Sequence, residues 1–165
     1  YEPLAQGGDK PDPNSVRRLP DGSYEVKAGS LVRVNLTLVA RDRANFVVVD
    51  DPLPAGFEGQ NASFSTTLRD VDGGVVNQQV DLGGDSWSEK GWWFWRPWWS
   101  FSHTELRDDR MLLFANHLPA GVYTYSYTAR ATTLGEFQLP PVHAEGMYTP
   151  ELFGHSASST VRVIE

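Results

Sequence analysis

Apolar residues recur at every second position through much of this chain, the pattern of a strand with one face buried and not of a helix. Residues 31–39 set Val32, Val34, Leu36 and Leu38 on one face, with Arg33, Asn35 and Thr37 on the other. Residues 123–129 oppose Tyr123, Tyr125, Tyr127 and Ala129 to Thr124, Ser126 and Thr128, and the tail 157–164 opposes Val161 and Val163 to Thr160 and Arg162. Asn45 to Val49 is a nearly continuous apolar run, as expected of a central strand. Turn signals separate these runs: Pro20-Asp21-Gly22, Ala28-Gly29-Ser30, Leu53-Pro54-Ala55-Gly56, Leu118-Pro119-Ala120-Gly121, Leu134-Gly135 and Pro140-Pro141. No window carries a helical period. The pattern predicts an all-β fold, an antiparallel β-sandwich of about seven to nine strands.

Two segments fit that scheme poorly. Residues 1–20 hold four prolines and read as an extended lead-in. Residues 58–102 read as a long insertion, polar and glycine-rich at first, with 62–68 and 75–81 as candidates for an extra hairpin. The insertion ends in an aromatic run holding all six tryptophans: Trp87, Trp92, Trp93, Trp95, Trp98 and Trp99. Length and composition suit a single domain over residues 1–165 with its own core.

Charge and residue usage narrow the function classes. A net charge of −7 argues against nucleic acid, because phosphate binding needs a positive surface. No apolar run approaches the ~20 residues of a membrane-spanning helix. Cysteine is absent, which removes disulfides, thiolate metal sites and cysteine nucleophiles from this chain. Asn35-Leu36-Thr37 and Asn61-Ala62-Ser63 match the glycosylation sequon, and chance is the simpler explanation. His103, His117, His143 and His155 lack a zinc-binding spacing. Asp50, Asp51, Asp70 and Asp72 invite a calcium loop, but their spacing does not match one. Glu105, Arg107, Asp108, Asp109 and Arg110 read as one charged strand row that builds cross-strand ion pairs, not as a catalytic set. Ser156-Ala157-Ser158-Ser159 has no nucleophile elbow around it. The expectation is no catalytic residue, no metal and no cofactor.

A series of motifs in fixed order carries a family resemblance. Asp51-Pro52-Leu53-Pro54-Ala55-Gly56-Phe57-Glu58 comes first, then His103-Thr104-Glu105-Leu106-Arg107-Asp108-Asp109-Arg110 and Leu118-Pro119-Ala120-Gly121-Val122-Tyr123-Thr124-Tyr125. Ala129-Arg130-Ala131-Thr132, Gly135-Glu136-Phe137-Gln138-Leu139-Pro140-Pro141 and Ala144-Glu145-Gly146-Met147-Tyr148-Thr149-Pro150-Glu151 follow. Together they resemble the C-terminal macroglobulin-like domain (MG10, receptor-binding-like) of bacterial alpha-2-macroglobulins over roughly residues 25–165. The resemblance implies one non-enzymatic domain of a large protease trap, periplasmic or otherwise exported, with any lipid anchor elsewhere in the parent chain. It implies that the domain packs against other domains of that chain, which meets target proteases as a whole. Where the parent has a thioester, Met147, Tyr148 and Pro150 match the segment that shields it before bait cleavage. Tyr1, preceded by no leader, reads as a cut point in a longer polypeptide.

The tryptophan run departs from what the resemblance leads one to expect. Trp92, Trp93, Trp95, Arg96, Trp98 and Trp99 suit a lid on the sandwich, or an interface, where tryptophan and arginine are favoured. They also suit a flat aromatic platform for sugar rings. Hence the rival reading is a carbohydrate-binding module, with a cell-surface adhesin-type β-sandwich as a further alternative.

Overall fold

The computed structural model describes residues 1–3, 12–60 and 101–165, and among these every regular element is a strand. In chain order they are β1 (Glu2–Pro3), β2 (Val16–Arg18), β3 (Tyr24–Lys27), β4 (Leu31–Ala40), β5 (Ala44–Pro52), β6 (Phe57–Gln60) and β7 (His103–Leu106). There follow β8 (Arg110–Leu118), β9 (Gly121–Ala131), β10 (Gly135–Leu139), β11 (His143–Gly146), β12 (Thr149–His155) and β13 (Ser159–Ile164). Seven of the thirteen have five residues or more, and the other six are short pieces of two to four. Alternation marks only the longer ones, since a short strand has too few positions to show a period.

The strands form three sheets, in the orders β1-β4-β9-β6, β10-β13-β3-β2 and β12-β11-β5-β8-β7. Pairing is antiparallel apart from β13 against β3, where Val161 lies opposite Tyr24 and Val163 opposite Val26. The proline-rich lead-in contributes two edge pieces, β1 on β4 and β2 on β3. Proline suits such edges, because it cannot donate to a ladder. Glu58, Gly59 and Gln60, assigned from the sequence to the insertion, belong instead to β6 and pair with β9.

The β4–β9 pair shows why the sequence folds this way. Its register sets Val32 opposite Ala129, Val34 opposite Tyr127, Leu36 opposite Tyr125 and Leu38 opposite Tyr123. The two faces that read as apolar in the sequence therefore meet across one ladder, and aromatic residues beside aliphatic ones stabilise such pairs. Val32, Val34, Tyr123, Tyr125, Tyr127 and Ala129 join one contiguous core with Val47, Val49, Met111, Leu113 and Ala115 of β5 and β8, and with Val26, Val161 and Val163. That core draws on all three sheets and closes the sandwich.

The Leu-Pro-Ala-Gly turns lock its corners. After β5, Phe57 N–H donates to Pro54 O (2.9 Å), and Gly56 O accepts from Thr132 N–H (2.9 Å). A Cβ on Gly56 would run into the Phe137 ring, so a larger residue there would have to displace that ring. Before β9, Tyr123 OH donates to Pro119 O at 2.8 Å, satisfying the phenol while its ring stays in the core.

Candidate interdomain contact at the β11–β12 turn

The third sheet ends in a hairpin whose inner strand β11 pairs with β5 and packs Ala144 against the core, while its outer strand faces solvent. All seven residues of β12, its edge strand, are exposed, among them Leu152 and Phe153. The ladder between β11 and β12 pairs His143 with His155 and Glu145 with Phe153, then shifts so that Gly146 faces Thr149. This irregularity leaves Pro150 in an edge position where no backbone donor is required. Gly146 is buried, and a Cβ there would lie 3.0 Å from Thr149 O, so the close turn depends on glycine.

Met147 and Tyr148 form the turn. Tyr148 is 77% exposed and Met147 51% exposed, and Pro150 is exposed at the start of β12. The three residues named from the sequence are thus adjacent in space and open to solvent. Tyr148 meets the Phe46 ring edge to face, at 5.3 Å and 85°. Phe46 was missed. The run Asn45 to Val49 reads as buried throughout, yet Phe46 is 47% exposed, and its φ of 52° makes it the one non-glycine residue with positive φ among those described. For a bulky side chain that conformation costs about 1–3 kcal/mol. The strand is interior to its sheet, as the apolar run predicts, with β11 on one side and β8 on the other.

The charged row around Arg107 needs correction. Glu105, Arg107 and Asp109 do not share one strand, because β7 ends at Leu106 and β8 starts at Arg110. Arg107 N–H donates to Arg110 O (2.9 Å) and closes a turn. Arg107, Asp108 and Asp109 stay hydrated in that turn, where aspartate is favoured. Arg107 pairs with Glu105 (3.0 Å), and Arg110 pairs with Asp109 and, across the ladder, with Asp50, each at 2.9 Å. The interaction with Arg107 holds the Glu105 carboxyl below its ordinary range, and Arg110 does the same for Asp109.

Asp50 and Asp51 do not converge on a calcium ion. Successive strand residues face opposite sides, so Asp50 turns to Arg110 while Asp51 is buried and accepts from Tyr127 OH at 2.7 Å. Burial pushes the Asp51 carboxyl up to about 6; Asp50 nearby adds to this, and the Tyr127 hydrogen bond opposes it. Burial likewise raises the Tyr127 phenol, with Asp51 beside it. Among the described residues no group of three or more His, Asp or Glu is placed to hold a metal ion.

The histidines are spread out: His117 Nδ1 is 2.8 Å from Asn45 Oδ1, His143 Nε2 is 3.1 Å from Glu145 Oε2, and His103 lies against Phe114. His155 Nδ1 is 3.1 Å from Ser156 O. Trp87, Trp92, Trp93, Trp95, Arg96, Trp98 and Trp99, Asp70 and Asp72, and the 62–68 and 75–81 hairpin lie outside the described residues.

The described residues thus form an antiparallel-dominated β-sandwich domain with an aromatic turn on an edge hairpin and two Leu-Pro-Ala-Gly corners. The model of the bacterial alpha-2-macroglobulin MG10 domain matches residues 3–151, and the chain belongs to that family. An alpha-2-macroglobulin homolog from Nostoc sp. is 31% identical over 145 residues, 88% of this chain and 6% of that protein. Native alpha-2-macroglobulin from Escherichia coli, solved from domain MG7 to the C-terminus, superposes with a TM-score of 0.59 at 27% identity, covering 84% of this chain and 20% of that one. A tyrosine-to-glycine mutant of Salmonella alpha-2-macroglobulin superposes with a TM-score of 0.58 at 26% identity, over 84% of this chain and 8% of that one. The chain thus spans a small fraction of the relatives it matches.

Proposed function

We propose that this domain packs against neighbouring domains of a bacterial alpha-2-macroglobulin and guards its resting state through the β11–β12 turn. Met147, Tyr148 and Pro150 are the contact. Where the parent carries a thioester, they keep water from it until bait cleavage moves the domains apart. The observation that carries this reading is the Tyr148 ring, a large apolar surface held 77% exposed. Phe46, which packs on it edge to face, and Met147 beside it in the turn extend this exposed apolar surface, the kind that marks a protein contact. A thioester persists in water only if water is excluded, and an aromatic ring with a polar tip can cover it while keeping a hydrogen bond. The role is non-enzymatic, and its setting is a periplasmic or otherwise exported protein that acts on proteases as a whole.

The test is Tyr148→Gly in the full-length parent, with the thioester followed by titration of the thiol it releases. Faster spontaneous release than in the native protein is expected; an unchanged rate overturns the shielding role.

A further inference from the structure

Phe46 combines several features that no core role accounts for. It is half exposed, so the sandwich gains little apolar burial from its ring. Its backbone is in the left-handed region, which bulky residues rarely adopt. Ala44 and Val47 are both buried with two exposed residues between them, so the inward-outward alternation of β5 slips at Phe46. The slip has a geometric product. The β5–β11 ladder ends with Val47 opposite Gly146, and one further bond, from Met147 N–H to Phe46 O at 2.8 Å, carries the turn beyond it. The same residue then sets its ring against Tyr148, edge to face.

We infer that Phe46 is a positioning residue for Tyr148: its strained backbone anchors the Met147 amide and its ring holds the tyrosine ring in the orientation presented to the neighbouring domain. This rests on the contact role proposed above for Tyr148. A ring as exposed as that of Tyr148 samples several rotamers unless something on its own surface restrains it. Edge-to-face packing supplies that restraint, and it reduces the side-chain ordering that docking would otherwise require. Strain kept at an exposed residue is the mark of a site whose geometry matters more than its local stability.

Two substitutions separate ring from backbone. Phe46→Asn tolerates the left-handed conformation but removes the ring, whereas Phe46→Tyr keeps the ring. In the full-length parent protein, 3-fluorotyrosine placed at position 148 reports the ring's surroundings by fluorine NMR. The Phe46→Asn variant is expected to shift that resonance, and Phe46→Tyr to leave it near the native position. Thiol release from the parent thioester is expected to accelerate on the order of 2- to 10-fold in Phe46→Asn, the range an aromatic pair supports, and to be restored in Phe46→Tyr. A fluorine resonance that does not move in Phe46→Asn overturns the positioning role. A resonance that moves while Phe46→Asn and Tyr148→Gly both leave thiol release unchanged upholds the positioning role and sinks the shielding reading instead. Because Phe46 lies outside the buried core and Asn accepts its backbone conformation, the melting temperature of Phe46→Asn is expected to be native or higher; should it fall, the Phe46→Tyr fluorine spectrum decides alone, and a shifted resonance there contradicts the proposal.

Discussion

The β4–β9 ladder and the β5–β11–β12 edge are built from the same pairing and serve opposite ends. In the ladder, the register holds from end to end, the side chains of the apolar face meet one another, and tyrosine phenols find partners such as Pro119 O and Asp51. At the edge, the alternation slips at Phe46, the register shifts at Gly146, and five large apolar side chains stay exposed. A regular ladder maximises burial. An irregular edge gives up burial to hold side chains where another surface can reach them.

The contrast breaks most visibly through the core. Leu31→Ala removes a side chain only 1% exposed at the start of β4, and should lower the unfolding free energy by about 2–5 kcal/mol in urea denaturation. Phe153→Ser on β12 should change it by about 0.5 kcal/mol or less, since that side chain is 63% exposed. Equal losses from the two would erase the distinction.

Next in size is the pH response of Asp51. Its folded carboxyl titrates at about 6, above the ordinary value of 3.8, so between those values the folded state holds a proton that the unfolded state has released. Stability should therefore rise as pH falls from about 7 to about 4, by on the order of 2–3 kcal/mol. Asp51→Asn should flatten this window while keeping an acceptor for Tyr127 OH. The exposed carboxylates Asp12, Asp21, Glu105 and Asp109 have lowered values, so they act with opposite sign and mainly at the acid end of that range. A slope that survives in Asp51→Asn would assign the effect to other groups.

A smaller loss than either the core truncation or the Asp51 response is expected of Gly146→Ala. Its Cβ would press on Thr149 O, costing about 1 kcal/mol, and would reopen the turn. Altered backbone resonances at Met147 and Tyr148, with the β4–β9 resonances unmoved, would place the effect at the edge alone.

The ladder and the core strand β13 were legible in the sequence because burial dictates them. Val32, Val34, Tyr125, Tyr127, Val161 and Val163 each lie on the face that period two assigns, and all are buried. The turn holding Met147, Tyr148 and Pro150 was legible only through resemblance, since nothing in the spacing sets those residues apart from an ordinary hairpin. Phe46 was not legible at all: Asn45 to Val49 reads as a nearly continuous apolar run, and one backbone torsion accompanies the exposure of Phe46. The charged row at Glu105 to Arg110 misled because a turn and a strand of charged residues look alike until hydrogen bonds choose between them.

The measurement closest to the central claim is nitration of Tyr148, read by mass spectrometry of its peptide, in the intact parent protein and in this chain alone. Tyr148 should react readily in the isolated chain, as its 77% exposure requires, and be protected in the resting parent. Equal reactivity in both would mean that no neighbouring domain covers the turn, and the proposed contact would be wrong.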